Sequence, residues 1–303
     1  MKTERKDIYQ VVTNKIIAGL ENGRRPWFCP WEKSGGLPIR PTRSTGEEYR
    51  GINVLLLWDA AAEQGYNSSY WFTFQQAKKL NASVRKGEKS TTIFYAGAIE
   101  KTDIDDATGE EFESRIPFLK SYAVFNACQI EGLDSSYYAS EIVPNIQDEE
   151  NRIVAVDEFV KQTGADLRHG GDRAFYRPIA DYIQMPEFQQ FKSPEGYAST
   201  LAHELVHWTM APARLDREYK AKRFGDEAYS REELVAEIGS AFLGADLGFQ
   251  PEPTDQNSSY IAGFLEVLKN DKRAIFTAAA HAQKACDYLH GLQNQSYDSE
   301  LAA

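Results

Sequence analysis

Residues 201–210 read LAHELVHWTM, and no other stretch limits what this chain can fold into as sharply. His203 and His207 lie four apart, Glu204 follows the first, and Leu201, Leu205, Val206 and Trp208 surround them. An α-helix turns every 3.6 residues, so positions i and i+4 project from one face. Two imidazoles can then meet a single ion, with a carboxylate about 100° round the same helix placed to take a proton from water. The plain alternative is a pair of satisfied polar residues on a half-buried helix. Average composition yields the full H-E-x-x-H pattern by chance in roughly one chain in a hundred of this length. We read a metal helix.

A catalytic zinc needs a third protein ligand and an open position for water. The histidine extension of the motif is absent, because Met210 and Ala213 stand where its glycine and third histidine would be. The segment YSREELVAEIGSAFL (229–243) supplies the acids instead. Glu233 and Glu237 share a helix face, whereas Glu232 points elsewhere. We take Glu233 as the ligand and Glu237, one turn on, as the carboxylate that orients a ligand histidine. Ser230-x-x-Glu233 also fits a capping box, in which case Glu237 becomes the ligand. Imidazole and carboxylate donors suit zinc, so one Zn2+ per chain is expected, with other divalent ions able to take its place. Glu204 is then the catalytic proton carrier of a hydrolase. A strand near Asp181–Met185 is the expected edge for an extended peptide. Tyr176 and Tyr182, the nearby tyrosines that could face an oxyanion, read more simply as core.

The rest of the chain is not homogeneous. Its 303 residues carry a net charge of −11. Residues 1–99 hold 15 Lys and Arg against 9 Asp and Glu, and the remainder holds 19 against 36. Four of the five tryptophans also lie in the basic third. Such asymmetry indicates two parts with different partners. Three scattered cysteines, Cys29, Cys128 and Cys286, form no CxxC pair and suit a reducing cytoplasm. No run of eighteen apolar residues spans a membrane, and the charged start MKTERKDIYQVV is not a signal peptide. A cytoplasmic location without membrane contact is expected.

Periodicity predicts helices over 5–21, 52–64 and 73–80, and strands over 91–95 and 121–125. A polar stretch over 131–147 reads as a linker. Beyond it come a helix near 148–163, short strands at 166–169, 174–176 and 181–184, then helices at 194–210, 231–247 and 258–291, the last broken near Asn270. This is an α+β arrangement of two domains, 1–130 and 148–303, the second mostly helical with a small sheet.

Single strands of nucleic acid are held by basic grooves that follow phosphates and by aromatics on which bases stack. Arg24, Arg25, Trp27, Trp31, Arg40, Arg43, Tyr49 and Arg50 interleave both types, and Lys86 and Lys89 flank a glycine turn. These are the candidate DNA contacts.

The motifs GGDRAFYRPIADYIQMP, TLAHELVHWT and YSREELVAEIGSAFLGADLG, with PWFCPW, EEYRGINVLLLW, YWFTFQQAKKL and VRKGEKS before them, resemble the ArdC-type plasmid antirestriction proteins. The first half is also similar to the amino-terminal part of plasmid TraC primases. The resemblance runs from the first helix to about residue 290. It implies a single-stranded-DNA-binding domain followed by a zincin-like, gluzincin-type metallopeptidase domain, with Glu233 as third ligand. It implies protection of incoming plasmid DNA from host restriction, with a host restriction protein as a candidate target or substrate. Two readings stay open: peptidase chemistry contributes to protection, or DNA occlusion alone suffices and the metal site is structural or vestigial. The sequence leaves oligomeric state open.

Overall fold

The computed structural model describes residues 7–27, 39–104, 111–138, 149–217, 226–250 and 257–300, and it is a two-domain α+β protein. In the first domain, α1 (Ile8–Glu21) starts where the Asp7 side chain accepts the amides of Tyr9 and Gln10. It buries Val12, Ile16 and Leu20. Next come β1 (Thr42–Arg43), α2 (Ile52–Gln64), β2 (Tyr70–Thr73), α3 (Phe74–Lys79), β3 (Ser83–Val84), β4 (Thr91–Ile104), β5 (Glu111–Asn126) and β6 (Ile130–Glu131). The run VLLLW makes α2 apolar on nearly every side, which suits a helix buried between layers. A four-stranded sheet has the order β1-β2-β5-β4, and β3 pairs separately with β6.

The strands β4 and β5 are far longer than periodicity predicted. Their antiparallel ladder continues from Thr91↔Val124 out to Ile104↔Glu111. Beyond the part that β2 accompanies, the pair runs on as a two-stranded ribbon. Past Phe94, which meets α2 and Phe276, none of the described side chains between Tyr95 and Ala123 is buried, so the alternation that marks a half-buried strand is weak.

The second domain holds α4 (Glu149–Gln162), β7 (Asp166–His169), β8 (Phe175–Arg177), β9 (Tyr182–Met185), α5 (Pro194–Trp208), α6 (Glu227–Leu247), α7 (Asn257–Asn270) and α8 (Ala274–Glu300). Its sheet has the order β7-β9-β8. The expected substrate edge at 181–185 is therefore the central strand, and the antiparallel edge is β8. Helix α6 starts at an Asp226 cap that binds the Tyr229 amide, so Ser230 is not the N-cap and the capping-box alternative falls away.

The two domains share one core. Trp58 packs edge-on to Phe242, Tyr9 and Phe94 both meet Phe276, and the Thr13 hydroxyl donates to the Lys272 carbonyl. Arg40 forms a bidentate pair with Asp246, Nε–Oδ1 2.7 Å and Nη2–Oδ2 2.9 Å, while lying 4.2 Å over the Phe242 ring. The expected linker, 131–147, is described only as far as Tyr138. There Leu133 is buried and the Tyr138 hydroxyl donates to the Ile130 carbonyl. Among the described residues no helix is long and apolar enough to cross a membrane.

Candidate metal centre

Helix α5 begins at Ser193, whose hydroxyl accepts the Gly196 amide, with Pro194 in the first turn. Its buried side, Leu201, Ala202, Leu205 and Val206, locks it into the core. That leaves His203 and His207 half-buried on the remaining face. Helix α6 crosses at Gly239, where an added Cβ would stand 2.7 Å from Val206 Cγ2. The missing side chain permits the close approach that carries Glu233 to the histidines.

The imidazole Nε2 atoms of His203 and His207 are 3.1 Å apart. Glu233 Oε2 lies 3.4 Å from His203 Nε2, and Oε1 lies 3.4 Å from His207 Nε2. One donor atom from each of the three residues falls within 4.8 Å of the others. Glu233 Oε2 is buried and accepts no hydrogen bond. An orphaned, buried carboxylate oxygen facing two imidazole nitrogens is the environment that a cation completes. The donor set fits a divalent metal.

The electrostatics agree. Burial works against a charged His207, yet its bonds to Glu232 and Glu233 overcome this and hold its pKa well above the ordinary value. Burial likewise works against an ionised Glu233, and the two histidines outweigh it, holding the carboxyl far below the usual range.

Behind these three donors, His207 Nδ1 meets Glu232 Oε1 at 3.3 Å, and Glu232 is paired with buried Arg217 at 2.8 Å. Arg217 is fixed in turn by the Thr209 hydroxyl and the Val206 carbonyl. Glu232, not Glu237, therefore orients His207. Glu237 instead accepts the indole N–H of Trp27 at 3.3 Å. The sequence assignment of these two acids is corrected: α6 presents successive residues to the two nitrogens of one imidazole.

Glu204 is buried beside the histidines and accepts a hydrogen bond from the backbone of Tyr176 on β8. Burial raises its carboxyl pKa, which brings a proton acceptor nearer neutral pH. A cavity of about 1120 Å³ opens over His203, Glu204, His207 and Glu233, with β8 along one wall. The Tyr176 hydroxyl is engaged by Asp181 at 2.8 Å and Arg214 at 3.0 Å, and Tyr182 lies under the Arg168 guanidinium. The tyrosines that line the cavity with their hydroxyls paired, 3.2 Å apart, are Tyr229 and Tyr260. Burial and nearby Glu233 push both phenols up, so each remains a protonated donor. Tyr229 sits four residues before Glu233 on α6, a spacing that could have revealed it.

The candidate DNA contacts are scattered rather than gathered. Trp27 is 1% exposed against Phe264, Arg40 is 3% exposed on Asp246, and Tyr49 is 5% exposed. These three are core and ion-pair residues, which corrects their reading as DNA contacts. Arg43 pairs with Glu47 and Arg50 with Asp287. Arg24, Lys86 and Lys89 are exposed, Arg25 is half-buried, and Trp31 lies outside the described residues.

A three-stranded sheet, an H-E-x-x-H helix and a glutamate helix define the zincin class of metallopeptidase folds, and residues 154–281 match the zincin-like metallopeptidase family. Residues 6–125 match the N-terminal domain of the anti-restriction factor ArdC. The metal-free crystal structure of antirestriction ArdC from plasmid R388 is 47% identical, with TM-score 0.78, over 95% of this chain and 98% of that one. Its Mn(II)-bound form is 45% identical, with TM-score 0.76, over 94% and 98%. The chain belongs to the ArdC antirestriction family. DNA primase TraC of Escherichia coli is 37% identical over 94% of this chain, which spans 20% of that primase. The similarity to TraC thus extends past the first half, through the metal helix as well.

Proposed function

We propose that this protein binds single-stranded DNA and shields incoming plasmid DNA from host restriction, and that its second domain carries a metallopeptidase-type site. The observation that carries the second part is the meeting of His203, His207 and Glu233 beside buried Glu204. These three residues would hold one divalent ion, with zinc expected from the donor set. The Mn(II)-bound ArdC relative supports a divalent metal. When bound, such an ion lowers the pKa of water and polarises a carbonyl.

The chain's own groups do the rest. Glu204, held by the backbone of β8, takes a proton and returns it to the departing amine. The free edge of β8 can align an extended peptide by backbone pairing. Tyr229 and Tyr260 present phenol donors to the cavity, where charge builds on the attacked carbonyl oxygen. Glu232 and Arg217 keep His207 oriented.

Protection needs only that DNA be covered, since a bound strand is already closed to a nuclease. The test is plasmid transfer into restricting and non-restricting recipients, comparing wild type with Glu204→Gln at equal protein level and DNA affinity. Wild type should protect in the restricting recipient alone, and Glu204→Gln should protect nearly as well. No protection by wild type refutes the antirestriction role. Lost protection by Glu204→Gln makes a restriction protein the substrate and the peptidase the operative half.

A further inference from the structure

We infer that the single-stranded DNA lies on one face of the β4–β5 ribbon, with bases stacked on Tyr95, Phe118 and Tyr122. The inference rests on the DNA-binding reading above and names the surface responsible. Strand β2 accompanies β5 only at Val124–Asn126, whereas the β4–β5 ladder runs on to Ile104↔Glu111. Directly paired residues of an antiparallel ladder share a face. The register Ile93↔Tyr122, Tyr95↔Lys120, Gly97↔Phe118 and Ile99↔Ile116 therefore gathers three rings and a lysine on one side. Lys101 follows on the same face by alternation.

Beyond Ile93, which is buried, this face is open to solvent and yet built. Tyr95 is 55% exposed, Ile99 57%, Ile116 49% and Tyr122 44%. The far edge of the Phe118 ring fills the space a Cβ at Gly97 would take, 2.5 Å from Cζ. Glycine at 97 thus lets the ring lie across the neighbouring strand. Tyr95 and Phe118 have centroids 6.0 Å apart, and Lys120 Nζ stands 4.8 Å from the Phe118 ring. A contiguous apolar patch on a solvent-facing ribbon marks a binding surface. From Ile93↔Tyr122 to Lys101↔Ser114 its charged residues are Lys120 and Lys101, and Asp103 follows by the register.

Rings spaced along a ribbon with lysines between them match a chain of flat bases joined by phosphates. Trp27 and Tyr49, two of the rings first expected to do this, are buried. The rival occupant is a second copy of the chain, since β4 is an outer strand of its sheet.

The test uses the full chain and a labelled oligothymidylate, read by fluorescence anisotropy, with melting temperature and molar mass measured for every variant. Losing two stacking partners should weaken binding by at least about 25-fold in the Tyr95→Ala/Tyr122→Ala pair. Tyr95→Phe/Tyr122→Phe should stay within about twofold of wild type, because the ring and not the hydroxyl does the stacking. Lys120→Glu should weaken binding and flatten the salt dependence by about 0.7 in log–log slope. Melting temperature and mass should not change. Wild-type affinity in the alanine pair overturns the inference, and so does a halved mass in that pair, which would make the ribbon a contact between copies. A wild-type chain that binds no oligothymidylate refutes the DNA-binding reading itself.

Discussion

The indole N–H of Trp27 donates to Glu237 Oε2 at 3.3 Å, tying the first domain to the helix that carries Glu233 one turn earlier. The ring also packs edge-on to Phe264 of α7, at 6.0 Å between centroids. Trp27→Ala should therefore cost about 3–5 kcal/mol, as for other buried aromatics cut back to alanine. Because the core is shared, calorimetry should record one lowered transition rather than an early melting of the first domain alone. A variant with normal melting and only a DNA-binding defect would contradict this placement.

Arg40 and Asp246 form another bond across the domain boundary, and Asp246 also meets His290 at 3.1 Å. Burial alone would raise the Asp246 pKa, but His290 and Arg40 outweigh it and leave the carboxyl below its ordinary value. A depressed carboxyl contributes stability above its unfolded pKa, near 4, and that contribution is lost as pH falls through the folded value. Asp246→Asn strands a buried guanidinium and should cost about 3–5 kcal/mol at neutral pH. It should also flatten the fall of stability in acid, measured by denaturant titration from pH 7 to 3. An unchanged acid slope would show that Asp246 is not part of it.

Glu232 and Glu237 make opposite predictions. Glu232→Gln removes the negative charge behind His207 Nδ1 and should weaken metal binding about 10–100-fold. Glu237→Gln leaves an amide oxygen to accept the Trp27 indole and should leave metal affinity unchanged. Titration calorimetry with zinc or manganese measures both, and the reverse order would return Glu237 to the ligand histidines.

What could be read from the sequence followed local spacing. The metal helix was legible because His203, Glu204 and His207 repeat at helical intervals inside an apolar run, and Glu233 because it sits in a second such run. The breaks between β7, β8 and β9 and between α7 and α8 were legible from glycine, proline and asparagine. Glu232 was not, because the choice between neighbouring acids depends on where α5 crosses α6, which Gly239 and Val206 decide. Trp27 looked exposed among prolines and arginines, while Phe264 and Glu237, which bury it, lie far along the chain. The ribbon was hidden for a different reason: none of its described side chains between Tyr95 and Ala123 is buried, so it carries little one-sided pattern.

The central claim is that α5 and α6 together hold one divalent ion beside a proton carrier that is not itself a ligand. Native mass spectrometry of the purified chain, loaded with zinc and passed through a desalting column, tests it most directly. Wild type and Glu204→Gln should each retain one ion, while His203→Ala/His207→Ala and Glu233→Ala should retain little or none at unchanged fold. One ion retained by the double-histidine variant, or none by folded wild type, would contradict the account.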